Sequence, residues 1–187
     1  MPFIQIKPGA LLAPTPVVMV SCADESTPAN IITVAWVGTV CSIPPMLSIS
    51  VRPDRHSHGI IVRSGEFVVN LVTRELLEAA DLCGVRSGRD QDKFSLCGLT
   101  AVKAEGMQYA PAIGQCPVYL ACRVEQTLNL GSHTMFLGRV VANGVAENLM
   151  DHTGKIDYAA ADLAAYCHGH YTGLGPVEGF FGYSIAR

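Results

Sequence analysis

A chain of 187 residues, 49% hydrophobic and 16% charged, with a net charge of −3, supports one well-buried domain and leaves a second independent core unexpected. The slight acidity argues against a nucleic-acid binder, and so few charges imply apolar surface covered by a second subunit or gathered into a large pocket. No run of about 18 apolar residues marks a membrane span, and Met1-Pro2-Phe3-Ile4-Gln5-Ile6-Lys7 lacks the basic-then-apolar order of a secretory signal, so no membrane partner and a cytoplasmic location are expected.

The first half reads as β structure. Residues 16–23 form an apolar, β-branched run that ends in the turn cluster Asp24-Glu25-Ser26-Thr27-Pro28. Residues 30–40 make a second strand, closed by Pro44-Pro45. A third alternates cleanly, with Leu47, Ile49 and Val51 on one face and Ser48, Ser50 and Arg52 on the other. Residues 56–64 predict a short helix with His56, Ser57 and His58 in its first turn and Gly65 as its C-cap. A strand over 66–72 follows, then a helix over 75–83, N-capped by Thr73 and ended by Gly84. Residues 85–92 read as an exposed loop leading to a single helical turn at Lys93-Phe94.

Two long strands, 118–130 and 134–146, meet at Gly131-Ser132-His133 and predict an antiparallel hairpin. The Gly-, Tyr- and His-rich tail carries one helical patch at 158–165 and a packed loop at 171–175. Many strands with few helices between them predict a mainly β fold, a closed or nearly closed barrel rather than a βαβ sheet. The seven cysteines, at 22, 41, 83, 97, 116, 122 and 167, contain no Cys-x-x-Cys pair. They read as free thiols in a reducing compartment, not as a zinc ribbon or a thioredoxin-like motif.

The segment Ser48-Ile-Ser-Val-Arg52-Pro-Asp-Arg55-His-Ser57-His-Gly59 carries the strongest chemical signal. A phosphomonoester is well held by a guanidinium, hydroxyls and the free N–H groups of a helix start, and Arg52 and Ser57 bring those parts together. The plainer alternative, Ser57 as a cap and Arg52 in a surface ion pair, stands beside it. In Asn30-Ile-Ile-Thr33-Val-Ala-Trp36, two polar side chains on an apolar strand need partners, which the edge of a flat heteroaromatic or nearby backbone would supply. Trp36 lines such a pocket or fills core. His133 is placed to reach a barrel mouth, and Lys93 is a candidate second cation for a phosphate. His56-x-His58 and Cys167-His168-x-His170 lack the spacing of a metal site, so no metal is expected. Gly-x-Gly-x-x-Gly and Walker-type patterns are absent from the sequence, which disfavours a Rossmann or P-loop nucleotide site.

Taken in order, Pro14-Thr-Pro-Val-Val, Asn30 to Trp36, Pro44-Pro45 through Ser57, Gly65-Glu-Phe-Val-Val-Asn70, Ser87-Gly88, Asp92-Lys-Phe94, Gly98-Leu-Thr100 and Gly131-Ser-His133-Thr-Met-Phe-Leu-Gly138 resemble the flavin reductase-like family of FMN-binding split barrels, and within it the flavoredoxin branch. The resemblance implies a single domain over residues 1–187, with a Greek-key split β-barrel core over about 10–145 and an extension from about 147. It implies six barrel strands and a homodimer with one FMN near each interface. By the same resemblance Arg52 and Ser57, with Ser50 and Lys93, would hold the phosphate. Asn30, Thr33, Ala35 and Trp36 would lie along the ring, with His133 at its edge or across the interface. No catalytic acid–base pair is called for. The function implied is electron transfer through FMN, as an NAD(P)H-dependent flavin reductase or as a carrier between redox-protein partners. A non-catalytic flavin- or ligand-binding module is the alternative, and roles for Tyr166, His168, His170 and Tyr171 stay open.

Overall fold

Five strands from the first half of the chain and two long ones from the second build the sheet on which everything else packs. The computed structural model describes residues 1–185. In chain order they form β1 (Thr15–Pro16), β2 (Val18–Cys22), β3 (Asn30–Val34), β4 (Val37–Ser42), β5 (Pro45–Val51), α1 (His56–Ser64), β6 (Glu66–Leu71), α2 (Leu77–Val85) and α3 (Lys93–Leu96). The short β7 (Ala101–Val102) and β8 (Ala112–Ile113) precede the long β9 (Val118–Asn129) and β10 (Thr134–Val145), and β11 (Ala164–Cys167) and β12 (His170–Gly173) follow. Seven strands form one antiparallel sheet in the order β3-β2-β6-β9-β10-β5-β4, while β1-β11-β12 and β7-β8 form two small ones.

The topology dictates the curl. β3 and β4 lie at opposite edges of the sheet, yet only Ala35 and Trp36 separate them in the chain. Two residues span less than about 11 Å, so the sheet bends until its edges meet as a split barrel. At the seam the Trp36 carbonyl accepts a hydrogen bond from the Ser50 N–H at 2.9 Å. The strand expected over 30–40 is therefore two strands, which is why the sheet has seven members where six were expected.

Inside the curl, Val18, Val20, Ile32, Leu47, Ile49, Val51, Phe67 and Phe136 pack together, and Ile60 and Ile61 of α1 close the space. Residues at the alternate positions, Met19 and Ile31, face a second cluster with Ala80 and Cys83 of α2 and Phe94 of α3. β2 is thus buried on both faces, which explains its continuous apolar run. α1 ends as the sequence predicts: Gly65 takes φ 66°, and its N–H bonds the Ile61 carbonyl at 2.9 Å.

Three local expectations are corrected. α2 runs past Gly84 to Val85, because the Arg86 N–H still reaches the Leu82 carbonyl at 2.9 Å. Its start is a 3₁₀ turn, Arg74–Leu76, for which Thr73 provides no side-chain cap. The tail holds turns and a hairpin in place of the helix at 158–165 and the loop at 171–175. β11 pairs with both β1 and β12, and the Ala164 N–H bonds the Val72 carbonyl at 3.0 Å, so long-range pairing outweighs helix propensity there. Among the described residues no helix is long and apolar enough to cross a membrane.

Candidate functional site

Two adjoining cavities form at the seam. The larger, about 470 Å³, lies between β3, the Ala35-Trp36 bend, the end of β5, the end of α2 and the β11–β12 hairpin. Ile32, Val34, Ala35, Trp36, Val51 and Val85 give it apolar walls, and Thr33, Ser50, Arg52, Asp81, His133, Tyr166 and Tyr171 add polar groups. The smaller, about 140 Å³, sits at the start of α1 against the loop that follows α2. Ile32, Arg55 and Gly84 line both, so one molecule with two unlike ends fits across them.

The recess is built for an anion. Arg55, Arg86, Arg89 and Lys93 line it against one carboxylate, Asp54, whose charge is already met by Arg52 at 3.0 Å. α1 begins with Arg55 in an extended conformation and no side-chain cap; the His58 N–H bonds the Arg55 carbonyl at 3.0 Å, while His56 and Ser57, whose N–H groups begin the helix, line this space at the positive end of its dipole. Burial, then the charges of Arg89, Arg63 and Lys93, hold His56 below the usual histidine range, as expected in a cationic field. Ser57 is buried and accepts a hydrogen bond from Asn30 Nδ2 at 2.8 Å. Gly88 packs directly on that amide, and a Cβ there would overlap Asn30 Oδ1. Lys93 Nζ donates to the carbonyls of Ile31 and Cys83, at 2.8 and 2.7 Å, using two of its three donors, and burial lowers its pKa.

The larger cavity sets apolar walls beside three charged side chains of both signs, Arg52, Arg55 and Asp81. The Thr33 hydroxyl donates to the Ala80 carbonyl and so ties α2 to β3. Tyr171 Oη donates to Asp81 Oδ1 at 3.0 Å; burial and then that acceptor push the phenol up to about 12. The Tyr166 and Tyr171 rings lie 5.8 Å apart, inclined by 58°, and form one wall. His133 stands at the tip of the β9–β10 hairpin, its Nδ1 2.9 Å from Ser132 Oγ.

The residues singled out from sequence converge, with three exchanged between the ends. Ala35, Trp36, Thr33, Ser50 and His133 border the larger cavity, and Ser57 and Lys93 border the recess. Arg52 and Ser50, expected at the phosphate with Ser57, line the larger cavity, where Arg52 leans on Asp54, whereas Asn30, expected along a ring, lines the recess. Thr33 spends its hydroxyl on α2 rather than on the cavity. Sequence reasoning missed Arg55, Arg86 and Arg89. The signal was present in Arg86-Ser-Gly-Arg89, a cationic, Gly-containing stretch between two helices. Among the described residues no group of three or more His, Cys, Asp or Glu side chains is placed to hold a metal ion. His58 instead meets Thr134 Oγ1 at 3.0 Å and tilts against Phe136.

The sequence profile described as a flavin reductase like domain matches residues 11–175. The chain belongs to the flavin reductase-like family. An uncharacterized protein of Archaeoglobus fulgidus is 31% identical to it over 129 residues, covering 69% of this chain and 72% of that protein. Flavoredoxin of Desulfovibrio vulgaris (Miyazaki F) superposes with a TM-score of 0.90 at 27% identity, over 99% of this chain and all (100%) of the other. Flavoredoxin from Methanosarcina acetivorans gives a TM-score of 0.89 at 27% identity with the same coverage. This flavin reductase-like chain therefore shares the split barrel with flavoredoxins along its length. The family match extends through β12, so the Tyr166–Tyr171 wall belongs to the flavin reductase-like domain.

Proposed function

We propose that the protein binds one FMN per subunit and passes electrons through it, in a homodimer. The observation that carries this reading is the junction at Arg55: an apolar, ring-sized cavity opens into a recess lined by four cations and an uncapped helix start. A phosphate monoester fits the recess by charge and by its need for donors. Arg55, Ser57, Arg86, Arg89 and the first N–H groups of α1 would hold it, with Lys93 adding charge from behind. Asn30 orients Ser57. Ala35, Trp36, Ser50, Arg52 and His133 would border the ring, with Thr33 holding α2 in place behind it. The tyrosine wall would keep water from one side. Bound flavin supplies the redox chemistry, and the protein supplies position, shielding and electrostatic tuning.

A second reading, FAD in place of FMN, is favoured by a further cavity of about 720 Å³ that shares Asn30, His56, Gly88 and Arg89 with the recess. FMN is preferred because the cations concentrate in the recess and not beyond it. The electron donor is NAD(P)H in a reductase, or a redox protein in a carrier. The seven free cysteines fit a reducing compartment, and the cytoplasm is the location this reading assigns. Support for the dimer comes from exposed apolar side chains on the barrel, among them Val40, Ile43, Leu128, Leu130 and Val141.

The test is the absorption spectrum of the purified protein, followed by analysis of the released cofactor and anaerobic addition of NADH and NADPH. Blue and near-ultraviolet bands with FMN released support the reading; bleaching by a nicotinamide marks a reductase, and its absence a carrier. Released FAD selects the second reading. Colourless protein that retains neither added flavin refutes both and favours a non-catalytic module. Light scattering should give twice the 19.9 kDa chain mass, and a monomer that binds FMN would refute the dimer.

A further inference from the structure

Cys83 and Cys97 stand apart from the other five thiols. Their sulfurs lie 3.8 Å apart, bringing the last turn of α2 against the C-cap of α3. Cys83 is buried, whereas Cys97 is partly exposed and also lies 3.9 Å from the Ala79 carbonyl. Their place in the chain matters as much as their contact. The segment between them holds Arg86, Ser87, Gly88, Arg89 and Lys93, all of which line the anion recess, and the Cys83 carbonyl itself accepts from Lys93 Nζ at 2.7 Å.

We propose that Cys83 and Cys97 form a peroxide-sensitive thiol pair whose disulfide clasps the recess loop between α2 and α3. Cys97 is the attacking group because it is the accessible one. Burial, then the neighbouring Cys97, push the Cys83 thiol up to about 12, so it stays protonated and acts second. The Cys97 sulfur attacks the terminal oxygen of a hydroperoxide, the O–O bond breaks, and water or an alcohol leaves. Cys97 is then a sulfenic acid. The Cys83 sulfur attacks that sulfur, the S–O bond breaks, and the oxygen departs as water with the Cys83 proton. Two electrons pass from the two sulfurs to the peroxide, and one S–S bond remains. To bond, the sulfurs must close by less than about 2 Å. The closing shift falls on Cys97, the partly exposed C-cap of α3, which Gly98 follows. The closed loop then holds the recess segment at both ends. Pairing does not depend on the flavin reading, but the consequence for a bound phosphate rests on it.

The test treats the purified full chain with hydrogen peroxide and digests it with trypsin without reduction. Arg86, Arg89 and Lys93 are cleavage sites inside the loop, so a Cys83–Cys97 disulfide leaves two peptides joined until dithiothreitol separates them. Cys83→Ser should leave a dimedone-trappable sulfenic acid on Cys97, and Cys97→Ser should abolish the linkage. Both cysteines unmodified, or Cys83 joined mainly to Cys116, would overturn the pairing. Hydrogen exchange over residues 84–92 reads the clasp without any cofactor. It should slow about threefold or more on oxidation of the wild type and not of Cys97→Ser; unchanged exchange in linked protein overturns the clasp. Failure of the protein to bind any flavin would refute the function proposed above while leaving both of these readouts intact.

Discussion

Replacing Arg55 with alanine tests where the phosphate is held. Arg55 lines both cavities, so its guanidinium sits at the junction between ring and phosphate in the proposed complex. A hydrogen bond to an ionised group contributes about 1.5–3 kcal/mol net, so Arg55→Ala should weaken FMN binding roughly 10- to 150-fold. Arg86, Arg89 and Lys93 remain, which keeps the loss within that range. Riboflavin lacks the phosphate, and its affinity should move less than about threefold, since no charge-assisted contact is lost. Arg52→Ala is the control. Its guanidinium is 55% exposed and paired with an equally accessible Asp54, the kind of contact worth about 0–1 kcal/mol, so FMN should weaken less than about fivefold. Flavin fluorescence quenching with both ligands, at one fixed salt concentration, measures all of these. Equal weakening of FMN and riboflavin by Arg55→Ala would refute the recess as the phosphate site, and a larger effect at Arg52 would move the site to the end of β5.

Gly88→Ala drives a methyl group into the Asn30 amide; overpacking of this kind costs about 1–3 kcal/mol, and the melting temperature and FMN affinity should fall together. Tyr171 should ionise near pH 12, and ultraviolet titration of Tyr171→Phe should lack that step. Because its folded pKa is raised, the stability from its bond to Asp81 is present below the ordinary tyrosine range and lost as pH climbs through the folded value. Asp92 caps α3 by accepting from the Phe94 and Ser95 N–H groups and the Ser95 hydroxyl; the Ser95 bonds foremost hold its carboxyl below the usual range. Asp92→Ala should cost about 0.5–1 kcal/mol at neutral pH, a difference that shrinks in denaturant melts as the pH falls through the depressed folded value, where the native carboxylate is protonated. Trp36→Phe keeps an aromatic face, so FMN affinity should stay within about tenfold while the flavin's visible bands shift; a larger loss would show that the indole itself is needed.

The parts of the fold legible in the sequence are those set by local pattern. β5 was readable because Leu47, Ile49 and Val51 alternate with polar neighbours, α1 because Gly65 marks its end, and the β9–β10 hairpin because Gly131 sits between two long β runs. The bend at Ala35-Trp36 carries no such mark: its cause is the placement of β3 and β4 on opposite edges, a property of the whole sheet. The tail departs from its local pattern for the same reason, since Ala164 and Ala165 favour helix locally, but Ala165 is claimed by β1, about 150 residues away, and Ala164 by Val72 and β12. At the site, residue type pointed to Ser57 and Lys93, but direction was not readable. Nothing local says that Lys93 turns inward to two carbonyls, or that Arg52 leans on Asp54 while Arg55 enters the recess.

The two cavities therefore depend on different parts of the chain. The recess is assembled within residues 30–93: Asn30 and Ile32 of β3, the start of α1, and the 84–93 stretch that Lys93 ties back to β3 and α2. The larger cavity exists only where distant segments meet, with β3 and β5 on one side and Tyr166 and Tyr171 on the other. Its tyrosine wall is held through Thr15 opposite Tyr166 and through Asp81 on α2, so both chain ends and α2 set its width. Changes in the β11–β12 hairpin can thus reshape what meets the ring without disturbing the cations that would hold the phosphate. In the proposed complex the cofactor would be held by charge at one end, and what meets its ring would be selected at the other.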